Sequence, residues 1–155
     1  MFGQAKALCL ALAFTTAVSA VGNAVVLNNC TFPVTVWSVG SGVSPGATLQ
    51  HGASYGEKFA QDPKTGGRAL KVTRGANGLF SGEPQTVFAY TLKDAAVWYD
   101  LSDVFGDAFA NFTLVVASAD TACPAIVWPK GTPLAGSQVK NCGPEANVTL
   151  ALCAN

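Results

Sequence analysis

The chain has 155 residues, nine Lys and Arg against nine Asp and Glu, and a formal net charge of zero. This length suits one domain with a sizeable hydrophobic core. Because the charges balance and form no basic stripe, we do not expect nucleic acid or an anionic membrane surface as a partner.

The first twenty residues are typical of a secretory signal peptide. Lys6 gives a weakly basic start, an apolar run follows over Ala7–Phe14, and small residues end the segment at Val18-Ser19-Ala20. The apolar run is too short to cross a bilayer of about 30 Å, and no later segment is long enough. We therefore predict a signal peptide over residues 1–20, a mature domain over residues 21–155, and a secreted, extracellular or cell-wall localisation.

Short apolar or alternating runs are separated by turn signals along the rest of the chain. They are too short, and too rich in Val, Thr, Phe and Tyr, for a helical bundle. Strands at this spacing predict an all-β sandwich or barrel. The predicted strands are Asn23–Leu27, Val34–Val39, Ser54–Phe59, Ala69–Thr73, Thr86–Leu92, Val97–Asp100, Phe112–Ala117 and Val148–Leu152. The segment from Ala119 to Pro144 is expected to be a long loop.

Four cysteines remain after Cys9 is removed with the signal peptide: Cys30, Cys123, Cys142 and Cys153. An even number in an oxidising compartment predicts two disulfides, and the spacing alone does not choose among the three possible pairings. No metal or other cofactor is expected. There is no Cys-x-x-Cys spacing, and the single histidine, His51, lies far from the cysteines in sequence.

Two segments carry a resemblance to a known family. Residues 28–40 read NNCTFPVTVWSVG and residues 98–109 read WYDLSDVFGDAF. From about Gly22 to Cys153 the chain resembles thaumatin-like proteins, and most closely the small, cysteine-poor fungal yeast-phase-specific secreted proteins. The resemblance implies a thaumatin-like β-sandwich with a Cys30–Cys153 disulfide, which leaves Cys123 to pair with Cys142.

The same resemblance implies a cleft, which active members of the larger family line with one arginine and several carboxylates. Asp100 matches the family's Tyr-Asp-x-Ser position, and Arg68 or Arg74 is the candidate arginine. Two further carboxylates of the cleft fall on Ala89 and Phe105 in this chain. Because glycoside hydrolysis requires two carboxyl groups, this pattern favours binding over cleavage.

Two other groups of residues are candidates for function. Asp100, Asp103 and Asp107 form a local acidic cluster, which is either the remnant of a catalytic group or a set of solvated loop carboxylates. Phe80 and Trp128 lie in predicted loops, where exposed rings can stack on carbohydrate. Trp128 could equally fill the base of the core.

Two glycosylation acceptors are predicted, at Asn111 in Asn-Phe-Thr and at Asn147 in Asn-Val-Thr. A third acceptor, Asn29, adjoins Cys30, so access for the transferase should be poorer there.

The sequence favours a non-enzymatic, monomeric extracellular or cell-wall-associated protein that recognises a β-glucan-like glycan or a host surface. One alternative is a weak β-1,3-glucanase that uses Asp100 with Asp103 or Asp107. The other is a secreted antigen or effector that binds a host protein through an apolar patch around Phe80 and Trp128. The expected partner is thus a cell-wall polysaccharide or a host surface protein.

Overall fold

The computed structural model describes residues 20–155, which form two β-sheets packed face to face. The signal peptide predicted for residues 1–20 lies outside the described residues apart from Ala20. Within the described part of the chain, no helix is long and apolar enough to span a membrane.

Eleven strands and one short helix make up the domain. In chain order they are β1 (Asn23–Asn28), β2 (Val34–Val39), β3 (Ala47–Leu49), β4 (Ser54–Lys58), β5 (Arg68–Thr73), α1 (Gly78–Ser81), β6 (Gln85–Lys93), β7 (Ala96–Val104), β8 (Leu114–Ser118), β9 (Ile126–Trp128), β10 (Lys140–Cys142) and β11 (Val148–Leu152).

One sheet has five strands in the order β4-β1-β11-β8-β9, and the other has six in the order β10-β7-β6-β5-β2-β3. Strands β1 and β11 pair in parallel, whereas the other named strand pairs are antiparallel. The first and last strands are therefore neighbours at the centre of the five-stranded sheet.

The core lies between the sheets because alternate side chains of each strand point inward. Strand β7 shows the rule clearly: Val97, Tyr99 and Leu101 are buried, while Trp98 between them is exposed. Burying one such side chain stabilises the fold by about 1.5–3 kcal/mol. The sandwich architecture expected from the sequence is confirmed.

The two predicted disulfides, Cys30–Cys153 and Cys123–Cys142, are confirmed. The parallel register of β1 and β11 sets Asn28 beside Leu152, so the residues that follow the two strands meet. The bridges close sequence separations of 123 and 19 residues. In the chain-entropy model these separations correspond to about 5 and about 3 kcal/mol of stabilisation.

Four short elements were not predicted. The expectation of a continuous loop from Ala119 to Pro144 is wrong, because this segment contains β9 and β10. Strand β3 and helix α1 also lie where turns were expected. Strands of three residues and a helix of one turn are too short to show a period in the sequence. Strand β7 also runs to Val104, four residues beyond its predicted end.

Candidate functional site

The outer face of the six-stranded sheet carries a groove of about 640 Å³. Its floor contains a row of residues that are neighbours on four adjacent strands: Val39, Ala69, Ala89 and Asp100. Two alanines at the centre of this row leave a depression between larger side chains. Ala89, which stands where the family's cleft has a glutamate, therefore contributes to the shape of the groove and not to its charge.

Trp98 and Asp100 stand side by side in this groove. They are two residues apart on β7, and alternation along a strand puts such residues on the same face. Trp98 is 42% exposed, so its ring is available to a ligand. Partial burial raises the pKa of Asp100, and the N–H of Leu101 opposes that shift only partly. The groove thus offers an aromatic surface beside a half-buried carboxyl group.

A loop of residues 61–67 forms one wall of the groove, and Asp62 holds this loop in place. Asp62 Oδ1 accepts hydrogen bonds from the N–H groups of Lys64 and Thr65, at 3.0 and 3.1 Å. Its Oδ2 accepts from the N–H and hydroxyl of Ser41, at 2.9 and 3.0 Å. These donors hold the pKa of Asp62 well below its usual range, with the Ser41 N–H contributing most. The carboxylate is buried and structural.

The structure distinguishes between the two candidate arginines. Arg68 lines the groove, and its Nη1 lies 4.0 Å from Glu57 Oε2. The guanidinium carbon of Arg74 lies instead 3.9 Å from the centre of the Phe32 ring, in a cation–π contact. Arg68 is therefore the candidate arginine that borders the groove, with its guanidinium directed toward Glu57 of the other sheet.

The acidic cluster proposed from the sequence is divided between two faces. Asp103 is three residues from Asp100, so it points toward the inner face, where its Oδ1 accepts a hydrogen bond of 2.6 Å from the hydroxyl of Thr86. Burial raises the pKa of Asp103 to about 7; Thr86 lowers it and nearby Asp107 raises it. Neither Asp103 nor Asp107 lines the groove. Of the three aspartates of the cluster, Asp100 alone lines the groove.

The two aromatic candidates have opposite environments. Phe80 is 69% exposed on α1, at one end of the six-stranded sheet. Trp128 is 0% exposed, and its Nε1 donates a 3.1 Å hydrogen bond to Gln138 Oε1. Of the two positions that the sequence left open for Trp128, exposed or at the base of the core, the structure shows the buried one. The exposed tryptophan is Trp98, which its position two residues before Asp100 could have revealed.

The structure also locates the two predicted glycosylation acceptors. Asn111 and Asn147 are both exposed, and their glycosylation stays a prediction.

Asp120 lies close to the sulfur atoms of Cys123 and Cys142. Because these two cysteines form a disulfide, they offer no thiolate to a metal ion.

The comparisons with known proteins agree with this architecture. Residues 11–154 match the model of the Bys1 family, described as the Blastomyces yeast-phase-specific protein. The chain belongs to this family. The resemblance inferred from the NNCTFPVTVWSVG and WYDLSDVFGDAF segments is thereby confirmed.

One curated relative and two solved structures are similar to this chain. An antigenic thaumatin-like protein of Arthroderma benhamiae is 27% identical over 143 residues, which cover 86% of this chain and 71% of the relative. The crystal structure of the protein elicitor MoHrip2 from Magnaporthe oryzae matches with a TM-score of 0.70 and 26% identity, covering 86% of this chain and 99% of the elicitor. The thaumatin-like xylanase inhibitor TLXI matches in fold, with a TM-score of 0.59, 14% identity and coverages of 84% and 98%.

The relatives and the two disulfides are consistent with an extracellular protein. Disulfides form and persist in oxidising compartments, to which exported proteins are delivered.

Proposed function

We propose that this protein is secreted and binds a β-glucan-like cell-wall glycan in the outer groove, without cleaving it. The observation that carries the proposal is the exposed ring of Trp98 beside the carboxyl group of Asp100. Sugar rings have an apolar face that stacks on aromatic side chains, and their hydroxyls donate to carboxylates. Trp98 can therefore stack on the apolar face of a pyranose ring while Asp100 accepts a hydrogen bond from one of its hydroxyls.

The groove also has a size and composition that suit a polysaccharide segment. Its volume of about 640 Å³ falls within the 300–1,000 Å³ that is typical of small-molecule sites. Its lining is mainly apolar, with a few polar groups at the margins, among them Lys93 and the backbone of Gly66 and Gly67. In such a groove a sugar ring can stack on the apolar lining, and a small number of hydrogen bonds can fix its orientation.

The arrangement of carboxylates supports binding over hydrolysis. A glycosidase needs two carboxyl groups on either side of the scissile bond, about 5–10 Å apart. Here neither of the two other aspartates of the local cluster lines the groove, and Asp103 faces the inner side of β7. Asp100 therefore acts as a hydrogen-bond acceptor for the ligand.

The test is to incubate purified protein with insoluble β-1,3-glucan and to follow protein depletion and release of reducing ends together. Depletion without release is expected, and Trp98→Ala should abolish the depletion. Phe80→Ala removes another exposed ring, outside the groove, and serves as the matched control. Release of reducing ends that disappears in Asp100→Ala would show an enzyme. No depletion would exclude this ligand.

A second candidate function is recognition of a host protein. Two relatives are described as an antigenic protein and a protein elicitor, which supports this candidate. Phe80 and Phe105, both 69% exposed, lie at the same end of the six-stranded sheet, since β6 begins and β7 ends there. The patch differs from the predicted one because Trp128 is buried. Loss of host-cell response in Phe80→Ala, with glucan binding intact, would support it.

A further inference from the structure

A second cavity, of about 350 Å³, lies between the two sheets. Ser38 on β2 and Arg68 on β5 line it from the six-stranded sheet, and Tyr55 and Glu57 on β4 line it from the five-stranded sheet. The loop of residues 40–44 completes the lining. Unlike the outer groove, this cavity is lined mainly by polar groups.

Glu57 is the centre of the cavity's hydrogen bonds. Its Oε1 accepts from the hydroxyls of Ser38, at 3.0 Å, and Tyr90, at 2.5 Å. Its Oε2 accepts from the Tyr55 hydroxyl at 2.9 Å. Each carboxylate oxygen can accept two hydrogen bonds, so Oε2 keeps one free acceptor position. Hydroxyls from both sheets hold this carboxylate in a fixed orientation.

Arg68 supplies the complementary group. Its Nε is buried and has no hydrogen-bond partner among the described residues. Its Nη1 lies 4.0 Å from Glu57 Oε2, which is too long for a direct hydrogen bond. Arg68 Nη1 and Glu57 Oε2 therefore present a donor and a free acceptor 4.0 Å apart, and a ligand hydroxyl can bridge them, accepting from Nη1 and donating to Oε2.

The cavity also adjoins the outer groove. Arg68 and Gly40 line both, so the two spaces share one wall. Gly40 packs against the Asp62 carboxylate, since a Cβ there would lie 2.5 Å from Asp62 Oδ2. A polymer lying in the groove can thus place its last unit near the cavity.

We propose that this cavity is a binding site for one hydroxyl-rich sugar unit, held by Arg68, Glu57 and the Tyr55 hydroxyl. The choice of glucose as that sugar rests on the function proposed above. The site itself depends on different residues from Trp98 and Asp100. The two proposals can therefore fail separately.

The experiment is ligand-observed saturation-transfer NMR with D-glucose and the protein of residues 21–155. Wild-type protein should transfer saturation to glucose at high millimolar concentration. Tyr55→Phe removes one hydroxyl from the cavity and should abolish most of the signal. Tyr99→Phe is the matched control, since its hydroxyl donates to the Pro124 carbonyl and not into the cavity. A signal that persists in Tyr55→Phe would overturn the proposal.

Two more variants complete the test. Trp98→Ala should keep the glucose signal while it loses binding to insoluble glucan. If Trp98→Ala removes the glucose signal instead, the sugar binds in the groove and the cavity proposal is wrong. Ser38→Ala, which removes another donor to Glu57, should also reduce the signal, and it keeps the test decisive if Tyr55→Phe folds poorly. Absence of any wild-type signal would overturn the cavity site but not the groove.

Discussion

The two faces of the six-stranded sheet differ in what their side chains contact. On β7, Tyr99 and Leu101 point inward and pack in the core, whereas Trp98 and Asp100 point outward into the groove. The same nine-residue strand therefore supplies both stability and the candidate ligand surface. Substitutions on one face should alter unfolding free energy, and substitutions on the other should alter ligand affinity.

Leu101→Ala should have the largest effect on stability. The side chain is 1% exposed, and truncation leaves a cavity that costs about 2–5 kcal/mol. Urea unfolding of the protein of residues 21–155 measures this loss. Ser102→Ala, the next residue on the outer face, should change stability by less than about 0.5 kcal/mol. Equal effects at the two positions would contradict the assignment of faces.

Asp103→Asn should alter the pH dependence of stability. The pKa of the folded group is about 7, above the unfolded value of about 3.9, so the carboxyl group stabilises the fold in its protonated form. That stability is fully present below about pH 4 and is lost as the pH rises through about 7. At pH 8 the variant should be more stable than wild type, by on the order of 1–2 kcal/mol after solvent screening.

The control for this experiment is Asp94→Asn, in the exposed turn between β6 and β7. In urea unfolding at several pH values, the unfolding free energy of this control should change with pH as it does in wild type. If the unfolding free energy of Asp103→Asn also depends on pH as in wild type, Asp103 is not a carboxyl group that stabilises the fold in its protonated form.

Trp98→Ala should weaken glucan binding by at least about tenfold, which is about 1.4 kcal/mol, because the stacking surface is removed. Its unfolding free energy should change little, since the ring is 42% exposed. Trp98→Phe keeps an aromatic face and should retain part of the affinity. Depletion from insoluble β-1,3-glucan measures both variants, and equal loss in both would argue against stacking.

Asp100→Asn should produce the smallest change, a decrease in affinity of about three- to tenfold. A hydrogen bond to a charged acceptor contributes about 1 kcal/mol more than one to a neutral acceptor. Burial raises the pKa of Asp100 above the usual aspartate value of about 3.9. As the pH falls, wild-type binding should therefore weaken at a higher pH than it would with an ordinary aspartate. Binding by Asp100→Asn should show no such dependence between about pH 4 and 7.

The sequence predicted the features that depend on local pattern or on family motifs. Alternation identified the eight longer strands, and the motifs around Cys30 and Asp100 identified the family and the disulfides. The three-residue strand β9 gave no periodic signal, so the sequence left open whether Trp128 is exposed or buried. Its environment depends on contacts between distant segments, which no local pattern records.

The candidate site shows the same division. Asp100 was found by motif, but its separation from Asp103 required knowing that β7 continues through Val104. Because side chains alternate between the two faces of a strand, Asp100 and Asp103, three residues apart on β7, lie on opposite faces. The cavity around Glu57 is lined by residues of both sheets and could not be predicted from any single segment.

The most direct test of the groove is chemical-shift mapping of isotopically labelled protein with a β-1,3-linked glucose pentasaccharide. The structure predicts that the largest shifts occur at the Trp98 indole, at Asp100, and at the loop of residues 61–67, with no change at Phe80 or Phe105. Shifts confined to the end of the sheet around Phe80 and Phe105, or no shifts at all, would contradict the proposal that this groove binds glucan.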